Sequence, residues 1–186
     1  MKEEENILMI LRETKKAIAD DNPALIKDLS NQTINTASLT QDPDNILVAV
    51  IIYSLSKIFE RHNYRELSGW NNFYKAVLSS LDHSIKDIET GDEEDFRRDF
   101  EAIRKAVNKL SGKLRKYIEE VFRKAQINKA SRIYEHGISM EQTANLLGIT
   151  MFELADYAGK TGIPDVNLGQ TLDVKSRIKI AEDMFK

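Results

Sequence analysis

The sequence predicts an all-α protein: an antiparallel helical bundle followed by a C-terminal helix-turn-helix. Three observations carry that prediction. Only three prolines and eight glycines punctuate the 186 residues, and charged residues make up 31% beside a hydrophobic set of 41%, a composition typical of helix-rich globular chains. Apolar residues recur at steps of three and four through most of the chain up to about residue 125. Beyond that point, capping, small and turn-forming residues follow one another in the order that two short crossed helices require.

The elements can be justified in sequence. Residues 3–20 place Ile7, Leu8, Leu11, Lys15 and Ile18 at helical spacing. Asn22-Pro23 ends that helix and can start a short second one, because proline suits the first helical position. The polar, β-branched stretch "NQTINTASLTQDPD" reads as loop with an irregular helical turn. Asp42-Pro43-Asp44 announces the next helix, which runs through Ile46, Val50, Tyr53, Leu55 and Ile58 towards Arg61. It is apolar around most of its circumference, so it belongs at the centre of the bundle. Ser68-Gly69 breaks the chain before a helix from Trp70 to about Ile88, with Phe73, Val77, Leu81 and Ile85 in one row, and Gly91 ends it. "DEED" then sets acidic charge at a helix start, where the dipole favours it. Phe96, Phe100, Ile103, Val107, Leu110, Leu114, Tyr117 and Val121 form an alternating three-and-four seam. Ser111-Gly112 falls in its middle, which implies either one kinked helix or two helices in register. The domain boundary is expected at residues 125/126, with a helical bundle before it, suited to dimerisation or partner binding, and a helix-turn-helix with a helical tail after it.

Several classes are disfavoured at this level. The absence of cysteine removes disulfides, thiolate nucleophiles and thiolate metal sites. The longest apolar run, Ile46 to Leu55, contains Tyr53 and Ser54 and suits a buried helix rather than a membrane span. "MKEEEN" lacks the features of a secretory signal, so a cytoplasmic location is expected. The formal net charge is −3, but it is unevenly distributed. Residues 103–132 hold ten basic side chains against Glu119 and Glu120 alone, whereas residues 1–90 hold 10 basic and 14 acidic ones. Only the segment leading into the C-terminal motif is cationic.

That motif is "SMEQTANLLGITMFELADYAGKTGIP", residues 139–164. Ser139 can cap a first helix, with Gln142 completing a capping box. Ala144 is the small residue at the helix crossing, Leu147 the buried one, Gly148 the turn and Ile149 the apolar plug. Thr150 caps a second helix whose Leu154 and Tyr157 face inward. An ordinary helical hairpin could share these cues. With the upstream "ASRIYEHGI", the stretch resembles the helix-turn-helix of small prokaryotic antitoxins that accompany PIN-domain toxins. The resemblance covers about 35 residues, 129–165, near a fifth of the chain. It implies a DNA-binding, autoregulatory module whose flanking segment grips a toxin. Those antitoxins are generally much shorter, and the long helical region has no counterpart among them.

On this reading the second helix exposes Met151, Phe152, Glu153, Asp156 and Lys160. Acidic side chains can accept from cytosine, but phosphate attraction must come from cations nearby. The candidates are Lys124, Lys129, Arg132 and Lys160, with Thr150, Met151 and Glu153 at the reading end of the helix. The expected partner is double-stranded DNA, bound by a homodimer because paired reading helices need two-fold spacing. The alternative is a non-catalytic adaptor in which the motif, and Met151-Phe152 in particular, docks onto a protein. The tail "TLDVKSRIKIAEDMF" offers Val174, Ile178, Ala181 and Phe185 as a narrow apolar stripe. His62, His83 and His136 share no ligand spacing, and no phosphate loop, nucleophile elbow or HExxH helix is present. No enzyme, metal or cofactor is expected.

Overall fold

A computed structural model describes residues 1–161, apart from Gln41, Ser111, His136, Gly137 and Gly148. The expected Gly148 turn and the tail stripe at 174–185 therefore lie outside the described residues, as does Gly137, where the sequence expects the upstream helix to stop. Among those described the chain is all-α: α1 Glu4–Ala19, α2 Pro23–Thr40, α3 Pro43–Phe59, α4 Trp70–Thr90, α5 Glu93–Asn108, α6 Gly112–Glu135, α7 Met140–Leu147 and α8 Met151–Thr161. A short 3-10 helix, His62–Glu66, joins α3 to α4. None of these helices is long and apolar enough to cross a membrane.

Local chemistry sets the boundaries. Pro43 sits in the first turn of α3, and Asp42 caps it by accepting from the Asp44 amide at 2.9 Å. Asp92 caps α5 by accepting from the Asp95 amide at 3.0 Å. Gly91 closes α4 at φ 76°, a left-handed position that suits glycine. Gly69 precedes α4 at φ 93°, a backbone conformation that favours glycine, and a Cβ there would press on Leu110 Cδ2 at 3.0 Å.

Two expectations are corrected. The stretch after residue 30 is not loop, because α2 continues unbroken to Thr40. Its apolar residues Ile26, Leu29, Ile34 and Ala37 are buried on one face. Its hydroxyls are absorbed by carbonyls: Thr33 donates to Leu29 O, Thr40 to Thr36 O, and Ser30 to Ala49 O of α3. The seam is also corrected. It runs as expected through Phe96, Phe100, Ile103, Val107, Leu110 and Leu114, but Ile118 is buried where Tyr117 had been expected. Tyr117 is 40% exposed and stacks on Tyr64. The chain divides into α5, ending at Asn108, and α6, starting at Gly112; within α6 the buried stripe steps from Leu114 to Ile118 and then to Val121.

Among the described residues the side chains form two cores. The larger joins α1 to α6 and contains Ile10, Leu11, Ile52, Leu55, Phe73, Leu81, Phe96, Phe100 and Leu114. The second brings Ile34, Ala37, Ile46, Ala49 and Val50 of α2 and α3 together with Ala130, Ile133, Ile138, Leu147 and Leu154. The position expected for a domain boundary thus lies inside α6, and the C-terminal helices share their core with α2 and α3. Arg97 adds a polar tie, forking onto both carboxylate oxygens of the nearly buried Asp44 at 2.8 Å.

Candidate nucleic-acid interface

The interface is assembled on α6. This helix presents Leu114, Ile118, Val121 and Ala125 to the interior, and α7 and α8 pack against its C-terminal half. Ser139 accepts from the Gln142 amide at 3.1 Å, capping α7. Ala144 is 1% exposed, and Ile149 packs against the second core while its amide donates to Ala144 O at 3.1 Å. α8 then begins with a full capping box. The Thr150 hydroxyl accepts from the Glu153 amide at 3.1 Å, and the Glu153 carboxylate accepts from both the Thr150 amide (3.0 Å) and its hydroxyl (2.9 Å).

The orientation of α8 follows from its buried face. Leu154 is fully buried and Ala158 nearly so. Tyr157 is half-buried, its hydroxyl accepting from Asn128 Nδ2 at 3.0 Å. Phe152 (88% exposed) points away from that buried face, and Met151 (53%), one turn before Leu154, is exposed at the open helix N-terminus. Glu153 is less available for base contact than its position suggests, because its carboxylate closes the cap and receives Arg123 at 2.7 Å. The Thr150 amide and hydroxyl, followed by Arg123, hold that carboxyl below its usual range.

The candidate cations do not share one environment. Lys124 and Arg132 are exposed on α6, and Lys124 pairs with Glu120 at 2.6 Å. Lys160 is exposed on α8 and pairs with Asp156 at 2.6 Å. Lys129 departs from the expectation, being only 1% exposed. Its ammonium lies between α2 and α3, donating to Asn31 Oδ1 at 3.0 Å and sitting 4.3 Å from the centroid of the Tyr53 ring. Among the described residues no carboxylate pairs with it, and burial first, then the positive charges of Arg132 and Lys27, push its pKa down to about 7. Lys129 is thus withdrawn from the surface on which a phosphate could meet it. Its register gives the reason: it lies four residues beyond buried Ala125, one turn further along the inner stripe.

A groove of about 490 Å³ runs between α3, α6 and α8 beside the reading face. Arg123, Lys124 and Lys160 line it, together with Lys57 and Arg61 from the end of α3, which sequence reasoning did not connect with the motif. Asn128, Tyr157 and Tyr53 also line it, and Glu153 and Asp156 supply its acidic groups. A second groove of about 540 Å³, between α5, α6 and the start of α8, mixes Arg104, Lys105 and Arg123 with Glu101, Glu119 and Glu153 and has no dominant sign. Among the described residues no group of three His, Asp or Glu side chains is placed to hold a metal ion. No family model, curated protein or solved structure matches the chain.

Proposed function

We propose that the protein binds duplex DNA through the N-terminal face of α8, as a transcriptional regulator or antitoxin-like protein, with exposed cations of α6 and α8 holding the phosphates. One observation carries this reading: α8 turns Leu154 inward and Met151-Phe152 outward, while Arg123, Lys124 and Lys160 line a groove directly beside it. Thr150, Met151 and Phe152 approach the base edges, and the basic side chains set the register. Glu153 serves this reading as the cap that fixes the helix and as the partner of Arg123. A homodimer would supply paired reading helices, and a toxin-like protein is the partner class that the antitoxin resemblance suggests. The role is binding, without a catalytic step, and a cytoplasmic setting suits it.

The test is binding to mixed duplex fragments at low and moderate salt, comparing wild type with a Lys124→Glu, Arg132→Glu double variant. Wild-type binding that weakens with salt and is lost in the variant supports the proposal. Absence of binding even at low salt would sink it. The second reading, docking onto a protein, is favoured by the 88% exposure of Phe152 next to Met151. In that case Phe152→Ala abolishes capture of a partner while the charge variant does not.

A further inference from the structure

We infer that the end of α3 is part of the same interface: Lys57 and Arg61 contact the phosphodiester backbone of the DNA that α8 reads. The inference rests on the DNA-binding proposal and extends it to a helix far from the motif in sequence. The groove brings together Lys57 of α3 and Arg61 just beyond its end, Arg123 and Lys124 of α6, and Lys160 of α8, against Glu153 and Asp156. Its cations outnumber its acids five to two.

The available charges differ in how they are held. Lys57 pairs with Glu60 at 2.8 Å, three residues away, an exchangeable surface contact. Arg61 forms no ion pair with any described carboxylate. Its guanidinium makes one long 3.4 Å hydrogen bond to the Lys57 carbonyl and lies 5.6 Å from the Tyr64 ring centroid. An exposed guanidinium whose fork is otherwise open is suited to bidentate phosphate contact. The tyrosines of the groove are already engaged. Tyr53 has Lys129 over its ring, and Tyr157 is held by Asn128. Base stacking on these rings, the mark of single-strand platforms, is therefore disfavoured, and a duplex backbone tracked by cations is the better fit.

The experiment measures duplex affinity across a salt series for wild type and for a Lys57→Gln, Arg61→Gln double variant. A Lys16→Gln, Lys86→Gln variant is the equal-charge control, both positions being exposed and outside the groove. Loss of two phosphate contacts lowers the slope of log affinity against log salt by about 1.8 and weakens low-salt binding roughly tenfold or more. The control binds as wild type does, and a charge-retaining Lys57→Arg, Arg61→Lys variant restores the slope. Wild-type binding with an unchanged slope in the glutamine variant overturns this inference and leaves the DNA reading standing. No wild-type binding at any salt overturns both.

Discussion

Lys129 shows most clearly how one residue departs from its apparent role. A lysine in a basic helix reads as solvated, yet this one closes the gap between α2 and α3, with an amide oxygen and an aromatic face in place of a counter-ion. Its folded pKa of about 7 lies below the usual 10.5. Between those values the unfolded chain binds more protons than the folded one, so this residue's contribution to stability rises as pH increases from about 7. Lys129→Met, similar in volume and without charge, should stabilise the fold by about 1–3 kcal/mol at pH 6 to 7. The gap should close towards pH 9.5. Urea unfolding of both proteins across that range checks this. The register four residues beyond Ala125 was available in the sequence. What the sequence lacked was the identity of the facing residues, because Asn31 and Tyr53 come from helices about 75 to 100 positions away.

At the scale of elements, local signals were most legible where capping chemistry is strong. The Thr150 cap, the helix start at Asp42-Pro43, the acidic opening of α5 and the Gly91 stop all lie where composition and spacing had placed them. That Glu153 closes a box with Thr150 and that Asp92 is the α5 cap were not read from the sequence. The second half of α2 was not legible, because Thr and Ser look like loop residues until carbonyl partners for their hydroxyls are known. The box at α8 separates two roles of one carboxylate. Thr150→Ala should lower stability by about 1 kcal/mol through the lost cap, measured by thermal or denaturant unfolding. Glu153→Gln keeps an oxygen for the Thr150 amide but gives up the charge that holds Arg123. On the DNA reading it should tighten duplex binding and steepen its salt dependence, because Arg123 is then free for phosphate. Unchanged affinity in Glu153→Gln would argue that Arg123 does not meet DNA.

For the molecule as a whole, the decisive feature is the second core, in which Leu154 of α8 packs with Ile34, Ala37, Ile46, Ala49 and Val50 of α2 and α3. Individual helices could be read from periodicity, but this joint could not, since nothing in a linear pattern says which faces meet. The same limit hid Lys57 and Arg61 from the candidate site. Leu154→Ala should cost about 2–5 kcal/mol and should lower one cooperative transition that includes the N-terminal helices. Two separated transitions by calorimetry would contradict a shared core. The joint also bears on how the chain is made. α2 and α3 leave the ribosome long before residues 130–154 are synthesised, so their half of the second core waits in the nascent chain as an uncovered greasy stripe. During that interval the growing polypeptide is a natural client for chaperones and is vulnerable to clumping with its neighbours. Slow translation between residues 60 and 154 would prolong that exposure.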